Sequence, residues 1–205
     1  LKETLAPIHY MQHRRIKIQE NLAFFLADLF MKESVLTSLY DDFGPPSKEV
    51  DLGVQIDHDH IHHWLASHVI SQEKRMAHLI YAILQETTEE ALHLAHKEYG
   101  EQLGNALQIE ELPANGQGLY DVLQGILLDG MPCDKINHMG DYSGHHLVFT
   151  SIQDLHGPYF HEAGLPASLA QSLRASFLEG FLKNFGLYTY QYTRKEDSIL
   201  HKILW

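Results

Sequence analysis

Sixteen histidines in 205 residues, against fifteen lysines and arginines together, are the first sign of chemistry in this sequence. Imidazole titrates near neutrality and is the commonest metal ligand, so the spacing of these residues decides what they could do. The densest group is Asp57-His58-Asp59-His60-Ile61-His62-His63. On a helix beginning near Asp59, His58 and His62 come to one face, and so do Asp59 and His63. That suits two ligands of one divalent ion such as iron, zinc or nickel. A solvated helix start with Asp59 as N-cap accounts for the same residues without metal. A second group is Glu89, Glu90, His93 and His96, in which Glu90 and His93 form a Glu-x-x-His unit. Di-iron bundles use that unit in duplicate, and one copy is present here. His58 and His62 could be completed by His93 or His96 if their helices pack antiparallel. A third group, His138, His145, His146, His156 and His161, falls in a strand-like region, where the adjacent pair must face opposite sides.

Charge and composition remove several classes. The formal net charge is −12, which argues against a nucleic-acid partner. A hydrophobic fraction of 44% and a charged fraction of 20% suit a globular domain with a sizeable core. No apolar run approaches the length of a membrane span. Cys133 is the single cysteine, so an intrachain disulfide is impossible and a reducing, cytoplasmic setting is expected. It could serve as a reactive thiol or as a small apolar residue. No nucleophile elbow, phosphate-binding glycine loop or His-Glu-x-x-His motif occurs.

The elements that must position these side chains follow from periodicity. Residues 1–43 carry Leu22, Phe24, Phe25, Leu26, Leu29 and Phe30 at helical spacing, and Gly44-Pro45-Pro46-Ser47 breaks that helical region. This apolar helix is expected to dock on the domain or on a second copy, making a homodimer. Helices are expected again from Ile61 to Gln85, over roughly 88–108 with Thr87 and Glu90 as a capping box, and from Leu119 to Leu128. Strand-like runs from Lys135 to Met139 and Leu147 to Ile152 flank a turn at Gly140–Gly144, and His156-Gly157-Pro158 reads as a break. Leu169, Leu173, Phe177, Leu178, Phe181, Leu182 and Phe185 then build the broad stripe of a long helix ending at Gly186. Alternating tyrosines from Tyr188 to Tyr192, a polar turn and Ile199–Leu204 close the chain as two strands.

Two segments carry a resemblance. AHKEYGEQLGNAL (95–107), with glycines at GxxxG-like spacing, and ASFLEGFLKNFGLYTYQYTRKEDSILHKILW (175–205) are similar to the 4-vinyl reductase domain family and its relatives in the TRAPP vesicle-tethering complex. The likeness covers roughly residues 79–205. It implies a helix-backed antiparallel sheet around an apolar pocket, which in relatives holds aromatic effectors, tetrapyrrole-related molecules or an acyl chain. Many relatives also carry cysteines near the last helix, some binding zinc. Here Arg174, Ser176 and Ser198 stand in that neighbourhood, so a cysteine metal site does not follow.

The fold class expected is therefore α+β: an antiparallel sheet of about four strands backed by helices, with an N-terminal helical extension over 1–45 and a ligand-binding domain over 46–205. The function expected is binding of a small apolar molecule, as sensor or carrier, in a pocket between the C-terminal helix and the sheet. Phe149, Phe177, Phe181, Tyr190 and Cys133 would line it. The alternative is a histidine-rich metal-binding protein or metalloenzyme using His58, His62, His93 and His96.

Overall fold

A computed structural model describes residues 5–48, 50–56, 60–107, 115–186 and 189–205. The chain runs through α1 (Pro7–Leu29), α2 (Glu33–Phe43), a short α3 (Leu52–Gln55), α4 (Ile61–Leu84), α5 (Glu89–Ala106) and α6 (Gly116–Ile126). A hairpin of β1 (Asn137–Tyr142) and β2 (His146–Ser151) follows. After α7 (Gly157–Glu162) and α8 (Ala167–Lys183), the chain ends in β3 (Thr189–Lys195) and β4 (Ser198–Leu204). The fold is α+β, with one four-stranded antiparallel sheet backed by helices. Among the described residues, no helix is long and apolar enough to cross a membrane.

Helices α5 and α8 lie side by side and run the same way. His93 meets Ser176, Lys97 meets Glu179 and Glu101 meets Lys183, so contacts advance together along both helices. Missing side chains allow this approach. A Cβ on Gly100 would overlap the Phe177 carbonyl, and one on Gly180 would overlap the Lys97 carbonyl. Phe177 and Phe181 stack along α8, Phe181 meets the tilted ring of Phe185 just past the helix end, and Tyr99 on α5 stacks with Phe177.

The sheet has strand order β1-β2-β4-β3. Its alternation puts Leu147, Phe149 and Ser151 of β2 beside Ile203, His201 and Ile199 of β4 on the covered face. Strand β1 continues to Tyr142, into the turn expected at Gly140–Gly144, through a register shift between Met139 and Tyr142. The break expected at His156-Gly157-Pro158 is instead the start of α7. Proline is tolerated in a first helical turn, and Asp154 Oδ1 accepts from the backbone N–H groups of His156 (3.1 Å) and Gly157 (2.9 Å). Helix α5 is capped by Thr88 rather than Thr87. The Thr88 hydroxyl accepts from the Ala91 N–H, while Thr87 donates to the Ile83 carbonyl of the preceding helix.

The N-terminal helices share the main core. Leu22, Ala23 and Leu26 of α1 and Leu36 and Leu39 of α2 are buried with residues of α4, α5 and α8, while Phe24 and Leu29 stay exposed. Ion pairing pins the break after α2. Glu20 accepts from the Ser47 N–H and hydroxyl, and Arg75, only 1% exposed, reaches Glu20 and donates to the Gly44 carbonyl.

Because α5 and α8 meet backbone to backbone, Gly180→Ala should destabilise the protein by about 1–3 kcal/mol or more through overpacking. Gly125, with nothing within 4 Å of a Cβ added there, is the control, and Gly125→Ala should cost little. Urea unfolding midpoints measured side by side check this.

Candidate functional site

A cavity of about 70 Å³ lies between α8 and the helices in front of it. Leu22, Met76, Ile80, Leu127, Phe160, Leu173 and Phe177 make its apolar wall. Its polar wall is Gln19 of α1, Gln72 and Glu73 of α4, His96 of α5, His156 at the start of α7 and Arg174 of α8. The spacing explains the convergence. Ala170, Leu173, Arg174 and Phe177 occupy one face of α8, and Gln72, Glu73, Met76 and Ile80 one face of α4.

Four charged side chains are interlocked here. Arg174 donates from Nη1 and Nη2 to the two oxygens of Asp129, at 2.6 and 2.7 Å, in the bidentate geometry that suits a guanidinium. His156 bridges, with Nδ1 at 2.9 Å from Glu73 Oε1 and Nε2 at 3.3 Å from Asp129 Oδ1. Burial alone would lower the His156 pKa. The Glu73 carboxylate beside it, with hydrogen bonds to Asp129 and Glu73, outweighs that effect and pushes it up to about 10. Burial also opposes ionisation of Asp129, yet the Arg174 guanidinium holds its carboxyl well below the usual range. Both cations are therefore charged at neutral pH, and the 3.0 Å between Arg174 Nη1 and His156 Nε2 is a contact of neighbouring donors aimed at one carboxylate.

The cluster is wired to the sheet. Asn137 Nδ2 donates to Asp129 Oδ2 at 2.6 Å, and its Oδ1 accepts from the Ser151 hydroxyl at 2.6 Å. That hydroxyl must then accept from His201 Nε2, 3.0 Å away, which assigns the ring proton to Nε2. His201 Nδ1 is left to accept from the Tyr190 hydroxyl at 2.7 Å, and Tyr190 accepts from Gln171 Nε2 at 3.1 Å. Every donor finds an acceptor along this line. His201 is 1% exposed and stacked on Phe149, and burial pushes its pKa down to about 3, so the neutral ring that the network requires is the one present.

The residues named from sequence are distributed as follows. Phe177 lines the cavity. Phe149 and Phe181 are fully buried, Phe149 against His201 and Tyr120 and Phe181 between Phe177 and Phe185, while Tyr190 is tied to His201. The void beside Ser151, Gln171, Arg174 and Ile199, between α8 and the sheet, measures about 10 Å³, the room of roughly one water. Cys133 is exposed and borders a separate pocket with His9 and His62. His58, with Asp57 and Asp59, lies outside the described residues.

The other metal candidates are engaged separately. His62 packs edge-on against the His9 ring, His93 meets Ser176 and Glu89, and His96 Nδ1 is 2.8 Å from the Leu92 carbonyl. Among the described residues, no three His, Cys, Asp or Glu side chains are grouped to hold a metal ion. Glu73 and Asp129 both touch His156, but on opposite ring nitrogens, so the three cannot converge on one ion.

Sequence reasoning passed over Glu73, Asp129 and Arg174. A signal was there for two of them: Arg174 interrupts the apolar row Ala170, Phe177, Phe181, and Glu73 interrupts the row Val69, Met76, Ile80. A charge inside an apolar stripe marks a buried, partnered ion. Asp129, in the segment after α6, had no comparable mark. Compared with protein-family models, curated proteins and solved structures, the chain matches none.

The buried rings set opposite pH limbs. Burial pushes His96 down to about 4 and His201 to about 3, from an ordinary value of 6.5. The unfolded chain binds these protons first, so stability is lost as pH falls from 6.5 toward 4. His156 is raised, so its contribution is complete below 6.5 and is lost as pH rises toward about 10. Thermal midpoints measured across that range should fall on both sides, and His156→Gln should flatten the alkaline limb while leaving the acid limb in place.

Proposed function

We propose that this protein binds a small molecule in the cavity bounded by α1, α4, α5, α7 and α8, acting as a sensor or carrier. The observation that carries the reading is one concave space with an apolar wall and a few convergent, fixed polar groups, the usual make-up of a small-molecule site. The strongly perturbed His156 and Asp129 sit at its polar end, as such groups tend to do at functional sites.

Volume limits the ligand. At about 70 Å³ the space is roughly half of the ~150 Å³ engineered cavity that takes up benzene. A compact molecule of a few heavy atoms suits it. A tetrapyrrole or an acyl chain would require the helices to part.

Xenon, an apolar probe of cavities, tests the reading. Under xenon pressure the methyl resonances of Met76, Ile80, Leu127 and Leu173 should shift in the wild-type protein. They should not shift in Ala170→Leu, where the added carbons fill the space and stability is held or raised by about 0.5–2 kcal/mol. Unshifted wild-type resonances, or an equal response in the folded variant, would rule out a ligand space at this place.

A further inference from the structure

The cavity's polar end has a definite electrical and hydrogen-bonding character, and resting on the binding site proposed above, it specifies the ligand. Two carboxylates, Glu73 and Asp129, face two cations, His156 and Arg174, in one contact network. Their formal charges cancel. All four side chains are mostly buried, from 10% to 19% exposed, so an ion added here would lack both water and a free counter-ion. An unpaired buried ion costs several kcal/mol. A carboxylate would stand beside Glu73 with the guanidinium charge already balanced by Asp129, and an ammonium would bring a third cation.

The hydrogen-bonding capacity left over suits a group that both donates and accepts. Arg174 Nη1 and Nη2 are committed to Asp129, both His156 nitrogens face carboxylates, and Gln72 Nε2 donates to the Gln19 carbonyl, whereas Arg174 Nε is a buried donor without a hydrogen-bond partner among the described residues. Acceptors are spare as well. Glu73 uses Oε1 for His156, and its Oε2 has no hydrogen-bond partner among the described residues. His96 is 4% exposed on the cavity wall, and its Nδ1 sits 2.8 Å from the Leu92 carbonyl, which can only accept. The ring proton therefore lies on Nδ1. Burial pushes the His96 pKa down to about 4, so at neutral pH the ring is uncharged and Nε2 keeps a lone pair without a partner among the described residues. Gln19 adds an amide that can serve either way.

We infer that the cavity takes a compact, uncharged hydroxyl compound, its O–H donated to Glu73 Oε2 or His96 Nε2 and its carbon body lying against Met76, Leu173 and Phe177. Carboxylates and ammonium compounds of the same size are excluded by the balance of charge.

The full chain, titrated at neutral pH with 1-butanol, butanoate and butylammonium, tests this through the methyl resonances of Met76, Ile80, Leu127 and Leu173. Butanol should shift them saturably, with a dissociation constant at least about tenfold below those of the two ions, a modest fraction of the cost of a buried unpaired ion. His96→Leu should weaken butanol by about threefold or more while the xenon response persists, the signature of a lost hydrogen bond in an intact cavity. Butanoate or butylammonium binding as tightly as butanol would overturn the ligand class and leave the cavity reading standing. No saturable response to any of the three, together with no xenon response, would overturn both. Should His96→Leu fail to fold, the wild-type series decides alone.

Discussion

The contact on which the site depends is the bidentate pair of Arg174 and Asp129. It brings α8 to the segment after α6, and both of its ions are mostly buried. Removing one partner from such a pair leaves an uncompensated charge at a cost of about 3–5 kcal/mol. That penalty explains the company the pair keeps. Asp129 also accepts from Asn137 and faces His156, and His156 in turn needs Glu73. Four elements and a loop are tied together at one point, and the cavity opens beside it.

From that point two constraints propagate. Toward the sheet, the line Asn137, Ser151, His201, Tyr190 and Gln171 leaves one arrangement of protons and returns to α8, so sheet and helix are joined by polar contacts as well as by a shared apolar core. Away from the sheet, Gly100 and Gly180 let α5 come close to α8, which carries His96 to the cavity wall. Larger residues at the two glycines would hold the helices apart. The packing of α5 on α8 and the polar character of the cavity are therefore linked.

Much of this architecture was legible in the sequence. The change from a helical to an alternating apolar pattern after Gly186 located α8 and the last two strands, although α8 ends earlier than expected, at Lys183, and Gly186 takes its left-handed φ of 65° in the turn beyond it. The glycines at GxxxG-like spacing in α5, Gly100 and Gly104, do lie against a close neighbour, α8 and the residue after it. The site was harder to read. Histidine abundance drew attention to Asp57–His63, whereas His96 and His156, which line the cavity, and His201, in the network behind it, are dispersed along the chain and are placed there only by tertiary packing. Stripe analysis looks for apolar residues, so charges within the stripes, Glu73 and Arg174, went unused. Helix α7 was hidden by Gly157-Pro158, since the cap that starts it comes from Asp154, upstream of the apparent break.

The central claim is that His156 is held as a buried cation by two carboxylates. Long-range correlation of its ring nitrogens with its carbon-bound protons, in protein labelled with nitrogen-15, reports the protonation of each nitrogen directly. The account predicts an imidazolium with both nitrogens protonated at pH values above the ordinary 6.5, giving up its proton only near about 10. A ring that titrates near 6.5, or is neutral there with a single protonated nitrogen, would contradict it.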